Sequence, residues 1–485
     1  MKKSRSAAEL FLCFLSAVCL MGCGREEAMR HDGQEVLQSG YIAGNTEPAS
    51  GAQSLQAEGN GGIGQQEGTS AAGTEVPQTV GNGGIGQQEA TSAAGTEVPQ
   101  AVGSGGTEQQ EGAPAPGADL PQTPGGDGLG QQEDAPPEPP QPQVTLVMVG
   151  DVLLHTPVAE SGRLEEGGYD FSAVFAELRD EIQEADLALV NQEVIIGGEE
   201  LGITGYPTFN APYELGDALV DSGFDVVLHA TNHALDKGKK GLLNCLSFWR
   251  ENHPGTAVLG IHDSQESQEE IYVYEQDGIR IAILNYTYGT NGIPLPEDMP
   301  YGVDMLERER VASDLARAEE LADFVIVCPH WGTEYVLEAT KAQREWAAFF
   351  AENGADLVLG THPHVIEPIE WVNDSTLVYY SLGNFVNWTA GTGEGVANRM
   401  VGGMARVTVG LDDEGKASIL SYGVEPLVCH VEQGFGGVRV YPLREYTGEL
   451  AARNEIIEQD GSFSLEYCQK LAEEVFGKAV IADTH

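Results

Sequence analysis

From Val144 onward the chain alternates short apolar runs with amphipathic helical stretches, and this alternation is what most limits its possible folds. VTLVMVG, ADLALVNQEV, FDVVLHATNH, IRIAILNYT, ADFVIVCPHWG, ADLVLGTHPH and TLVYYSLGNF read as buried strands. SAVFAELRDEIQEA, GKKGLLNCLSFWRENH, MLERERVASDLARAEELA and KAQREWAAFFAENG read as helices between several of them. Strands taking turns with helices predict an α/β domain. MARVTVGLD and ASILSYGVEPL have no helix between them and predict an antiparallel addition, and FSLEYCQKLAEEVFGKAV predicts a terminal helix.

The residues before Val144 have a different character. Lys2, Lys3 and Arg5 precede an apolar segment too short for a comfortable membrane span. It ends in Leu20-Met21-Gly22-Cys23, which resembles a bacterial lipobox. That resemblance implies a signal peptide over 1–22, cleavage before Cys23 and a lipid on its thiol. The protein would then sit outside the cytoplasm, anchored to the bacterial membrane by acyl chains. Residues 23–143 contain a repeat of 22 residues: GNGGIGQQEGTSAAGTEVPQTV, GNGGIGQQEATSAAGTEVPQAV and the looser GSGGTEQQEGAPAPGADLPQTP. Each unit offers only a few small aliphatic side chains, too little burial to offset the entropy of ordering the chain. A disordered, acidic Gly/Gln/Pro-rich tether is expected, followed by a main domain over 144–445 and a helical extension over 446–485.

Charge narrows the partners. The formal net charge of −50 comes from 75 acidic against 25 basic residues, which disfavours nucleic acid as a partner because phosphate binding depends on clustered Lys and Arg. It leaves open a polyanion held through metal ions. Cys245, Cys328, Cys429 and Cys468 are widely spaced, show no metal-finger pattern and are expected to be buried thiols.

The strands end in polar clusters. They are Gly150-Asp151 with His155 soon after, Asn191-Gln192-Glu193, Thr231-Asn232-His233, Pro329-His330-Trp331-Gly332-Thr333-Glu334, Gly360-Thr361-His362-Pro363-His364 and Ser381-Leu382-Gly383-Asn384. Sites in open α/β sheets form beyond the carboxyl ends of strands. Carboxylates, imidazoles and an amide oxygen are ligands for Zn, Mn or Fe. Two such ions can polarise a substrate and activate water.

GDVLLH, NQE, TNHALDKG, HWGTEY, GTHPHV and SLGNFV, in this order, resemble the signature of CapA-type poly-γ-glutamate capsule synthesis proteins, relatives of the calcineurin-like metallophosphoesterases. The resemblance covers about residues 144–390. It implies a four-layer α-β-β-α sandwich of the metallo-dependent phosphatase type with two divalent transition metal ions at its top. It further implies that Asp151 and His364 ligate one metal, and Asn232, His330 and His362 the other. Glu193 would bridge them, and His233 would act as general acid with Asp236 orienting it. The superfamily's usual D-x-H is not met: Leu153 stands two after Asp151, and the histidine comes at 155, to reach the metal or to face substrate. Glu334 and Asn384 are further candidates for metal or substrate. Asp236 either caps the following helix or orients His233. Trp331 and Tyr335 read as packing residues, His229 as a core histidine, and GTGEGVAN as a loop beside the site, since it lacks a following Lys-Ser/Thr.

The expected function is that of a lipid-anchored, metal-dependent hydrolase cleaving an amide or phosphoester. Its substrate would be an anionic envelope polymer such as poly-γ-glutamate. The alternatives are a non-catalytic protein of capsule export or anchoring, and a metal-dependent phosphoesterase.

Overall fold

The structure is a computed structural model that describes residues 141–412 and 414–481. The expected signal peptide, Cys23 and the repeats lie outside the described residues.

In chain order the strands are β1 (Gln143–Val152), β2 (Leu187–Asn191), β3 (Val226–Leu228), β4 (Ala257–Leu259), β5 (Tyr272–Gln276), β6 (Ile279–Thr287), β7 (Phe324–His330), β8 (Leu357–Leu359), β9 (Ile369–Trp371), β10 (Leu377–Tyr379), β11 (Asn384–Val386), β12 (Val401–Leu411), β13 (Ala417–Val431) and β14 (Val438–Pro442). The helices are α1 (Thr156–Ser161), α2 (Arg179–Glu184), α3 (Tyr213–Ser222), α4 (Gly238–Asn252), α5 (Gln265–Glu269), α6 (Arg308–Leu321), α7 (Lys341–Glu352), α8 (Gly448–Ala451) and α9 (Leu465–Phe476).

Two sheets result. One has the order β14-β13-β12-β1-β2-β3-β4, with β11 pairing the end of β1, and the other the order β5-β6-β7-β8-β10-β9. β1, β2, β3 and β4 run parallel, as do β6, β7, β8 and β10. The β12–β14 addition is antiparallel, as its sequence predicts.

The layers follow from the period of two along a strand. On β6, Ile279, Ile281 and Ile283 join the main core together with β1 and β2. Ala282, Leu284 and Tyr286 face the other way, onto Val311, Leu315 and Ala318 of α6 and Ala347 and Phe350 of α7. Helices α3 and α4 bury Leu215, Leu219, Leu242 and Trp249 against the first sheet. The order is helix, sheet, sheet, helix, the four-layer α/β architecture expected. Parallel strands buried on both faces need apolar residues, as in the fully buried Leu187, Ala188, Leu189 and Val190 of β2, with polar Asn191 only at its end.

Some local details differ from the sequence reading. Residues 172–185 do not form one helix. The amide of Ser172 is tied to Asp170 Oδ1 at 2.8 Å and that of Val174 to the Phe171 carbonyl, so tight turns occupy the start and only α2 is regular. α3 and the edge strands β4, β5 and β9 had no strong periodic signal. Cys245, Cys328, Cys429 and Cys468 are free and buried. Helix α9 buries Cys468, Leu471, Ala472 and Phe476 in the main core. Among the described residues no helix is long and apolar enough to cross a membrane.

Candidate metal centre

The parallel strands of both sheets open onto one edge, and close backbone contacts weld their ends together. A Cβ on Gly150 would lie 1.9 Å from the Gly383 carbonyl oxygen, and one on Gly360 2.1 Å from that of Tyr380. Only glycine lets β1 and β8 approach these neighbours so closely. The next residues on the chain are those that carry the chemistry.

Asp151 and Glu193 are fully buried. Three imidazoles converge on one oxygen of Glu193: the Nε2 atoms of His364, His330 and His233 lie 3.6, 3.7 and 3.9 Å from Oε1. These distances exceed hydrogen-bonding range. Both Glu193 oxygens, and Nδ1 of His362, are buried without a hydrogen-bond partner. Such atoms are rare in folded proteins and call for an explanation, an ion among them. Three sets of side chains have ligand atoms within 4.8 Å of one another: Glu193, His330 and His362; Asp151, Glu193 and His364; and Glu334, His362 and His364. Glu193 belongs to the first two. A mixed imidazole and carboxylate donor set of this kind fits a divalent transition metal ion.

The second shell fixes these donors. Asn191 Nδ2 donates to Asp151 Oδ1 at 2.8 Å. His364 Nδ1 lies 3.2 Å from Asp151 Oδ2 and 3.1 Å from Asn384 Oδ1, which turns its Nε2 toward Glu193. His330 Nδ1 meets Thr361 Oγ1 at 3.0 Å, and its Nε2 meets Asn232 Oδ1 at 2.9 Å. The turn between the two histidines is held by the His362 amide donating to Asp151 Oδ2 at 3.2 Å. His362 and His364 have φ of 100° and 59°, left-handed values that cost a non-glycine residue free energy. Strain of this sort is kept where surrounding contacts over-determine it, and here it points successive imidazoles to the two sides of Glu193.

The buried charges act strongly on one another, and an ion would compete with a proton on His364. Burial, reinforced by the Glu193 charge, pushes the Asp151 carboxyl up. Burial acts on Glu193 too, but His364, His330 and His233 outweigh it and hold Glu193 below the carboxylate range. His364 is drawn down by burial and raised more strongly by Glu193 and Asp151, to about 9. Burial, with the charges of His330 and His364, keeps His362 well below the usual histidine range and so neutral.

His233 forms a dyad. Its Nδ1 donates to Asp236 Oδ2 at 2.7 Å, and the same oxygen accepts from the Phe209 amide at 2.6 Å. The N-cap of α4 is Lys237, with no side-chain cap, so of the two roles open to Asp236 the structure supplies the contact to His233. His155 is absent from the three donor sets. It packs edge-on against Phe209, which packs edge-on against His233, and burial and the His364 charge lower it to about 4. His229 is a core residue accepting from Trp249 Nε1 at 3.1 Å. Trp331 is buried packing, its indole donating to the Tyr380 carbonyl. Tyr335, by contrast, is 46% exposed, with its ring 6.0 Å from that of His364.

Sequence reasoning missed several neighbours. Asn191 and Thr361 lie inside the clusters it singled out. The Tyr288 ring lies 4.6 Å from that of His362, tilted by 46°, and Asn291 Oδ1 accepts from Asn232 Nδ2 at 3.2 Å. Both follow β6, whose end is in register with that of β7, Thr287 opposite His330. The signal that could have found them is that a strand beside β7 must open on the same edge. Arg399, over the ring of Tyr335 at 3.5 Å, had no such signal.

The fold and the edge-sited cluster define an α/β protein of helix-sheet-sheet-helix order with a buried His/carboxylate centre able to hold divalent metal. The particular family is given by its matching model, which covers residues 145–389: the chain belongs to the bacterial capsule synthesis protein family PGA_cap. It is 34% identical over 175 residues to the PGA biosynthesis protein CapA of Bacillus subtilis (strain 168), covering 35% of this chain and 45% of that protein. It is 28% identical over 260 residues to the capsule biosynthesis protein CapA of Bacillus anthracis, covering 51% of this chain and 61% of that one. The chain thus spans less than two thirds of either relative. Among solved structures, a candidate 5'-nucleotidase of Staphylococcus aureus aligns with a TM-score of 0.40 and 17% identity over 58% of this chain and 54% of that one.

Proposed function

We propose that this protein is a lipid-anchored hydrolase of the bacterial envelope, dependent on two divalent transition metal ions (Mn, Zn or Fe), that cleaves an amide bond in poly-γ-glutamate or a related anionic polymer during capsule synthesis, anchoring or release. The observation that carries it is the convergence of three imidazole Nε2 atoms on an unpartnered, fully buried Glu193 oxygen, beside the His233–Asp236 dyad. The family membership and the CapA relatives supply the polymer; the lipobox supplies the anchor at Cys23.

Asp151, Glu193, Asn232, His330, His362 and His364 would hold the ions, which when bound supply Lewis-acid polarisation of the scissile group and activation of water. The remaining steps belong to this chain. Asp236 fixes the His233 ring through Nδ1, at 2.7 Å. Nε2 then faces the Glu193 side and can pass a proton to the leaving nitrogen. His155, Glu334 and Asn384 line the approach: Asn384 orients His364, Glu334 stands at the mouth, and His155 walls the side next to Phe209.

The test uses the full-length protein, extracted in detergent. His233→Gln should keep its metal content by mass spectrometry and lose about 100- to 10,000-fold in turnover of a γ-glutamyl oligomer. Unchanged capsule formation in that variant, with no turnover by wild type, would instead favour a non-catalytic export or anchoring protein, and unchanged turnover would remove His233 from the chemistry. Turnover of phosphodiesters but not of γ-glutamyl amides would make it a phosphoesterase.

A further inference from the structure

The centre is acidic, yet one cation stands at its mouth. The guanidinium of Arg399 lies over the Tyr335 ring, whose other neighbour is His364. It is placed with care: Nη1 donates to Thr389 Oγ1 at 2.7 Å. Its backbone carbonyl accepts from Asn384 Nδ2 at 2.9 Å and from Asn387 Nδ2 at 3.3 Å. Asn384 is the residue that also orients His364, so the Arg399 backbone and the His364 ring share one support.

The guanidinium is only half satisfied. Nε is buried without a hydrogen-bond partner. Among the described residues no carboxylate forms an ion pair with Arg399, in a chain with 75 acidic residues and 25 basic ones. An unpaired cation here cannot serve the ions, since its charge opposes cation binding. It acts on the group that approaches them.

We propose that Arg399 is a specificity-determining residue that grips an oxyanion of the substrate, namely the carboxylate next to the scissile amide. The identity of the substrate rests on the polymer reading above. With Nη1 held by Thr389 and Nε buried, Nη2 is the nitrogen left to meet an incoming oxygen. A charge-assisted hydrogen bond from it to a carboxylate oxygen is of the strong kind. Every residue of a γ-linked glutamyl chain carries one such carboxylate beside the amide. Tyr335 lies under the guanidinium and supports its plane.

The test is titration calorimetry on the full-length, manganese-loaded protein with a γ-glutamyl oligomer, the same oligomer with its carboxylates amidated, and a phosphate monoester. Losing charge-assisted hydrogen bonds is expected to weaken oligomer binding to Arg399→Gln about 10- to 100-fold, with metal content unchanged. Arg399→Lys, which keeps the charge and loses the planar guanidinium seated on Tyr335, is expected to restore binding only in part. The amidated oligomer is expected to bind wild type and Arg399→Gln alike. Oligomer affinity of Arg399→Gln within twofold of wild type overturns the inference while leaving the polymer reading intact. Binding of the phosphate monoester but not the oligomer, lost in Arg399→Gln, overturns the carboxylate assignment together with the polymer reading. Binding of neither by wild type overturns both.

Discussion

Glu193→Gln isolates the claim that buried ligands meet at one carboxylate. Glutamine has the shape of glutamate without its charge, so packing at this fully buried position is preserved. What changes is the shared member of two of the three donor sets. An ion supplied at about a thousand times its dissociation constant stabilises the folded state by about 4 kcal/mol. At roughly 2 °C per kcal/mol for a large domain, that is about 8 °C in Tm. The assay is thermal unfolding of chelator-treated protein with Mn or Zn added back in steps, circular dichroism serving to show that both forms are folded. Wild type is expected to gain about 8 °C and Glu193→Gln less than about 2 °C, because the loss reaches both sides of the site at once. A shift in Glu193→Gln equal to that of wild type would refute the reasoning, placing the stabilising ions elsewhere on this acidic protein.

Two further predictions concern stability away from the ligands. Burial raises the Glu367 carboxyl to about 8 from 4.5, with Gln343 Nε2 donating to it at 2.5 Å and its other oxygen unpartnered. A raised carboxyl favours the protonated folded state, so its contribution is complete below the unfolded value and lost as pH climbs through the folded one. Urea unfolding between pH 5 and 8 should show wild type losing stability relative to Glu367→Gln by up to about 1.4 kcal/mol per pH unit, whereas parallel curves would count against the burial argument. Gly360→Ala would set a Cβ 2.1 Å from the Tyr380 oxygen and 2.5 Å from Trp331 Nε1, while Gly255→Ala meets nothing within 4 Å. The first should cost more than about 3 kcal/mol in urea unfolding and the second less than about 0.5 kcal/mol; equal effects would contradict the close-approach account.

The parts legible in the sequence were those written by local pattern. Asp151, Glu193 and Asn232 stand at or just past strands of one sheet and His330, His362 and His364 at or just past strands of the other, and parallel strand ends within a sheet share an edge, so each trio could be foreseen. Position in the chain also betrayed Asn384 and His233. Asp236 was ambiguous because a carboxylate before a helix serves as a cap as readily as it orients an imidazole; only the 2.7 Å contact separates the two. His155 was misleadingly close in sequence to Asp151, yet it turns to Phe209. Tyr288 and Asn291 follow β6 and could be found only through its register with β7, and Arg399 lies in a short 3-10 helix before β12 that no local pattern ties to the centre. The glycine-rich segment at 391–398 mattered for the arginine it delivers, a consequence of tertiary folding.

The pairing of β1 sets the order in which this centre can come into being. β1 lies between β2 and β12, so one of its edges waits for residues 401–411. Asp151 and His364, 213 positions apart, meet only after that long loop has closed. Contacts so distant in sequence are slow to form, and an open strand edge in the meantime invites pairing with another chain. A chain still emerging from the ribosome therefore carries scattered donors and no assembled site. A product cut short before β12 would leave the first strand with a bare edge, whatever metal surrounds it.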